Sequence, residues 1–117
     1  MNDFNQFKNN GFLVKKNLIN QKEINKINKI VNEIISKEKQ KKRSDTQNRT
    51  QSYDNYHFVY NSNSSKNKEL LRLNNPQNRH KIFNDLSRNK KIISIAKKLL
   101  GGSVRFHLGK LNFKLPN

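Results

Sequence analysis

With 117 residues, the chain has room for one domain at most, or for part of one. Only 32% of the residues are hydrophobic and the mean hydropathy is -1.06, so any core is thin, at the border between a marginal globule and a segment that relies on partner elements. The formal charge is +17 and cysteine is absent, which excludes a disulfide framework and a thiolate metal site and fits a reducing cytoplasm.

The N-terminus, Met1-Asn2-Asp3-Phe4, lacks the apolar core of a signal peptide, and no stretch approaches the ~18 apolar residues of a membrane span. After Phe4 and Phe7, Gly11-Phe12-Leu13-Val14 reads as a short strand entered through a turn at Asn10-Gly11. Asn20 then stands three residues before Glu23, the spacing of a capping box. Ile24, Ile27, Ile30, Val31, Ile34 and Ile35 recur at helical spacing, which predicts a helix from about Gln21 to Lys37.

From Lys37 to Ser52 there is no apolar residue, so the helix is expected to fray into a polar loop that includes the basic run Lys37 to Arg43. Tyr56, Phe58 and Tyr60 alternate with His57 and Val59, the pattern of a half-buried strand within Tyr53 to Tyr60. Stacking of RNA bases on such a strand would call for a second aromatic strand and a glycine-containing signature, and neither is present. Residues 61–68 read as a polar loop. A short helix is predicted around Lys68 to Leu73 from Leu70, Leu71 and Leu73, and Asn75-Pro76 reads as another helix start, with Ile82, Phe83 and Leu86 on the buried face.

Ser87 or Asn89 opens a helix in which Ile92, Ile93, Ile95, Ala96, Leu99 and Leu100 form an amphipathic stripe, with Lys97 and Lys98 in the last turn and Gly101-Gly102 as its stop. The final segment reads as β. Val104, Phe106 and Leu108 share one face, and after Gly109 the phase shifts to Leu111, Phe113 and Leu115, which predicts a bulge or bend at the glycine. Lys114 then shares the polar face with Lys110 and Asn112. The segment ends at Pro116-Asn117 with few partner strands in view, so it is expected to lack neighbours and to promote self-association.

No complete active site can be assembled from these residues. His57, His80 and His107 each lack a carboxylate two positions on, so the H-x-D half of a non-haem iron triad is missing. Gly101-Gly102 lacks the Lys-Ser/Thr of a phosphate loop, and neither Ser87 nor Ser103 has an identifiable base. The charge suggests a polyanion or nucleic-acid partner, but the basic residues are 19 Lys and only 6 Arg, and arginine is the better residue for bidentate contacts. Charge spread over solvated faces is the favoured reading, and a small basic polyanion-binding module is its alternative.

The order of signals resembles the N-terminal part of the phytanoyl-CoA dioxygenase family. Residues Gly11-Phe12-Leu13-Val14 through Leu18-Ile19 are similar to that family's opening, the helix ending Leu99-Leu100-Gly101 to its Leu-Leu-Gly helix, and Phe113-Lys114-Leu115-Pro116 to its K-x-P strand. Residues 37–66, a polar insertion, fall outside the match. The resemblance implies an α+β fold, a helical layer with the first strand or strands of a double-stranded β-helix, and residues 1–117 as the front part of one domain. It implies an oxygenase that uses iron(II) and 2-oxoglutarate to hydroxylate an unactivated C–H bond of a small molecule. It also implies that Lys114 contacts 2-oxoglutarate, since a lysine inside a barrel can neutralise a dicarboxylate. The iron-binding H-x-D, the distal histidine and the co-substrate arginine would lie beyond Asn117, so these residues alone are expected to hold neither iron nor co-substrate, with no catalytic or metal-ligating residue among them.

Overall fold

In a computed structural model, which describes residues 2–41, 50–55, 57–61 and 69–114, the capping box is formed as the spacing predicts. Asn20 Oδ1 accepts the Glu23 backbone N–H at 2.9 Å, and the Glu23 carboxylate accepts the Asn20 N–H at 3.3 Å. The helix it opens, α2, spans Gln21–Gln40, three residues longer than predicted. The extra turn is anchored by Glu38, a buried carboxylate that accepts the Tyr60 hydroxyl and meets Lys41 Nζ at 2.5 Å. The basic run is therefore not all solvated tail: its helical end is tied to the sheet.

The strand expected at Gly11 to Val14 is absent. An additional helix, α1, spans Asp3–Asn10 instead, capped by Asn2 and closed by Gly11 at φ 77, whose N–H donates to Phe7 O at 2.8 Å. Asn before and glycine after are the two terminal signals of a helix, and they outweigh the short apolar run that follows. Phe12 and Val14 are left exposed. Helix α1 packs beside the helix at Lys90–Leu100.

Four strands form one antiparallel sheet in the order β1-β2-β3-β4: β1 Gln51–Tyr53, β2 Phe58–Asn61, β3 Glu69–Asn74 and β4 Lys110–Asn112. The single strand read across Tyr53 to Tyr60 is a hairpin, turned by Asp54 at φ 51 and Asn55 at φ 56, two residue types that tolerate the left-handed region. Tyr56 lies outside the described residues. Thus residues 37–66 include the end of α2 and the β1–β2 hairpin as well as polar chain.

The helix expected around Lys68 to Leu73 is not found among the described residues, where Glu69–Asn74 is strand β3. The reason is a register shift. Val59 pairs with Arg72 but Tyr60 pairs with Leu70, so Leu71 is the extra residue and Leu70 and Leu73, three apart, face the same side. Apolar residues three apart imitate a helix when only the sequence is read. On that face Tyr53, Phe58, Leu73 and Leu111 line up across the sheet, with Leu73 fully buried. Ile27, Ile30, Val31 and Ile34 of α2 pack on them together with Ile82 and Phe83. This is the core, and it is thin, as the composition implies.

Asn75-Pro76 does not start the long helix that was expected. Pro76–Asn78 is one 3-10 turn, and Asn75 sits at φ 50 with no side-chain cap. Helix α3, Lys81–Ser87, begins separately and buries Phe83. Helix α4, Lys90–Leu100, matches its prediction. Asn89 accepts from the Lys91 and Ile92 N–H groups at 3.0 and 3.2 Å, and Gly101 closes it at φ 74.

The chain returns through residues 103–109 without sheet pairing, so the strand expected at Val104 to Leu108 is missing, and Phe106 and Leu108 are exposed. Sheet pairing begins immediately after Gly109, so no paired strand precedes it in which the expected bulge could form. A Cβ at Gly109 would stand 2.7 Å from Gln77 Oε1, the far end of a flexible side chain that can move aside. The terminal strand, expected to lack neighbours, has one: Leu73 pairs with Leu111, and the Phe113 N–H donates to Leu71 O at 3.0 Å. The architecture is α+β, a small antiparallel sheet with helices. No helix among the described residues is long and apolar enough to cross a membrane.

Candidate functional site

Opposite the core face, the sheet carries a polar row. Strand alternation puts Arg72 and Asn74 of β3 on this side, and pairing sets Asn112 across from Arg72 and Lys110 across from Asn74. Lys114, the residue singled out as a co-substrate contact, follows β4 on the same alternation and is exposed. Strand β4 ends at Asn112, two residues before Lys114, and four residue steps, roughly 13 Å of extended chain, separate Lys114 from Lys110. No histidine is brought beside Lys114 in the register of the sheet.

At the Lys110 end the row runs into a polar cavity of about 520 Å³. Its walls include His57 at the start of β2, Arg72 and Asn74 of β3, Arg79 after the 3-10 turn, and Gly109 and Lys110. Backbone bonds fix this corner: Asn74 N–H donates to His57 O and Asn75 N–H to Gly109 O, both at 2.8 Å. The Arg79 guanidinium donates to the Asp54 carbonyl at 2.6 Å, which ties the turn to the hairpin. Among the described residues no Asp or Glu lines the cavity.

His57 is only 3% exposed. Its Nδ1 lies 2.7 Å from the Asn74 carbonyl, an acceptor only, so Nδ1 carries the proton of the neutral ring. Nε2 is buried and has no partner. Burial pushes the His57 pKa below the usual histidine value, and the Asn74 bond opposes that only in part. His80, its ring centroid 6.1 Å away, is also lowered, first by burial and then by the charges of His57, Arg79 and Lys37. His107 is exposed and separate. Among the described residues no three His, Cys, Asp or Glu side chains come together to hold a metal ion.

The basic run is partly committed to the fold. Lys41 Nζ meets Glu38, lies 3.7 Å from an Asp54 carboxylate oxygen and sits 5.0 Å from the centre of the Phe58 ring. Its Lys42-Arg43 end is outside the described residues. The Arg72, Arg79 and His57 corner has no signature in the sequence, because the spacing of Leu70, Leu71 and Leu73 imitates a helix where β3 lies. A strand reading of Leu71-Arg72-Leu73-Asn74, polar on alternate positions and stopped by Asn75-Pro76, would have exposed the row. Compared with known proteins, the chain matches no family model, no curated protein and no solved structure.

Proposed function

We propose that these residues form the N-terminal part of an iron(II)- and 2-oxoglutarate-dependent dioxygenase of the phytanoyl-CoA dioxygenase type, with the sheet as the start of a double-stranded β-helix. The observation that carries the reading is the two-sided sheet. Helices α2 and α3 back one face, and the other presents Arg72, Asn74, Lys110 and Asn112 in the row that continues toward Lys114. A barrel whose interior binds a charged co-substrate needs that arrangement, apolar toward the helical layer and polar toward the lumen. The order Gly101-capped helix, return segment, then a strand leading to Lys114 also supports it.

The described residues do not fit an iron ion, since His57 and His80 lack a third ligand. In the proposed enzyme the iron ligands belong to other residues. Lys114 fits the smaller task. Its exposed ammonium, at the end of the polar row, can pair with one carboxylate of 2-oxoglutarate and orient it. In such enzymes iron and 2-oxoglutarate together supply the oxygen activation that hydroxylates a C–H bond.

The test begins with the reading frame beyond codon 117. An open frame encoding H-x-D and a later histidine supports the proposal, and a frame without them removes it. In the enzyme so reconstructed, Lys114→Ala should raise the KM for 2-oxoglutarate about tenfold or more, the loss of one charge-assisted contact. An unchanged KM would take Lys114 out of the site.

A further inference from the structure

Three cationic side chains, Arg72, Arg79 and Lys110, line the cavity beside His57, and no described carboxylate lines it. None of the three makes an ion pair with a described carboxylate. Arg72 is half-buried, and its Nε is shut off from water without an acceptor. A buried charged donor left unmade costs about 1–3 kcal/mol or more, and native structures contain few of them. An anion in the cavity would pair with the guanidinium of Arg72 and relieve the mutual repulsion of the three cations.

The neutral groups narrow the anion's chemistry. Asn78 borders the cavity and carries an amide N–H that can donate to an oxygen ligand, while the buried Oδ1 of Asn74 calls for a donor. His57 commits its Nδ1 proton to Asn74, so its other nitrogen is an acceptor. A carboxylate brings that nitrogen no proton. A phosphate carrying one proton brings an O–H for it and several oxygens for the guanidinium groups, which bind phosphate in a planar, forked geometry. We propose that this cavity binds a phosphate group, held by Arg72, Arg79 and Lys110 with His57 receiving its O–H. The site stands at the opposite end of the polar row from Lys114 and does not depend on the dioxygenase reading.

Titration of the full chain with inorganic phosphate, followed by calorimetry and by amide shifts of Asn75 and Gly109, tests it. Saturable one-site binding that moves those amides is expected. Arg79→Gln and Lys110→Gln, both at exposed side chains, should each weaken it about tenfold. The double variant Lys97→Gln/Lys98→Gln, which removes charge from α4, should leave it intact, as should Lys114→Ala. Equal weakening by the α4 variant would make the effect diffuse charge attraction and overturn the site. Loss in Lys114→Ala would move the anion to the other end of the row and overturn it equally. Acetate binding as tightly as phosphate, or no saturable binding, also sinks the proposal. Phenyl phosphate distinguishes the source: binding like inorganic phosphate assigns a phosphate ester, and binding of the free ion alone assigns inorganic phosphate.

Discussion

His57 shows how one residue couples the sheet to pH. Its ring is enclosed by Phe58, at 4.6 Å between centroids, and by His80, and it faces the charges of Arg79, Asp54 and Glu38, with Lys37 acting on His80. A folded-state pKa below 6.5 means that the unfolded chain binds the proton more readily. Stability from this group is therefore complete above 6.5 and is lost as pH falls from there toward the folded value. His80 acts in the same direction. Urea midpoints in phosphate-free buffer should fall between about pH 7 and pH 5.5, above the range where most carboxylates titrate. His57→Asn, whose amide can still donate to the Asn74 carbonyl, should flatten that slope. A slope unchanged by the substitution would show that His57 does not carry the dependence.

At the scale of elements, what could be read in advance follows from the range of the signals. Helices α2 and α4 were legible because their caps are local: Asn20 with Glu23, and Asn89 with Gly101, lie within a few residues of the atoms they satisfy. Strand β3 was not, because its identity comes from β2 and β4, and its bulge gives Leu70 and Leu73 a helical spacing. The last turn of α2 was missed for the same reason. Nothing near Glu38 in sequence announces Tyr60, twenty-two residues away. A short motif marks Lys114 in the sequence, whereas the His57 corner has no local signal, because it is assembled from the hairpin, β3, the 3-10 turn and Gly109.

The Glu38–Tyr60 contact gives α2 its hold on β2, and it can be measured. Tyr60→Phe keeps the ring and its edge-on packing with Tyr53, 5.5 Å away, but removes the hydroxyl from a buried carboxylate. The expected cost is about 1–3 kcal/mol. Glu38→Gln retains an acceptor for Tyr60 while weakening the link to Lys41, so it should cost less than Glu38→Ala. A Tyr60→Phe protein as stable as the parent would show that the contact does not hold the helix end in place.

For the whole molecule, the open edge of the sheet decides behaviour in solution. The radius of gyration is 17.6 Å, against about 13 Å for a compact chain of this length, so much of the surface that could bury itself does not. Leu111 and Phe113 turn their backbone groups toward β3, and alternation then turns those of Lys110 and Asn112 outward, where no described strand pairs with them. Such an edge favours pairing with a second copy. The +17 charge, with Lys110 at that edge and Lys114 just beyond it, opposes it. The balance has a sign that can be checked, because salt screens the repulsion and leaves the backbone pairing intact. Sedimentation should therefore show association rising with protein concentration and with added salt. Asn112→Pro removes one outward N–H and spares the bonds to β3, so it should weaken association about threefold to tenfold, the equivalent of about 0.5–1.5 kcal/mol. Association that falls as salt is added would mean that charge, not the β4 edge, joins the copies.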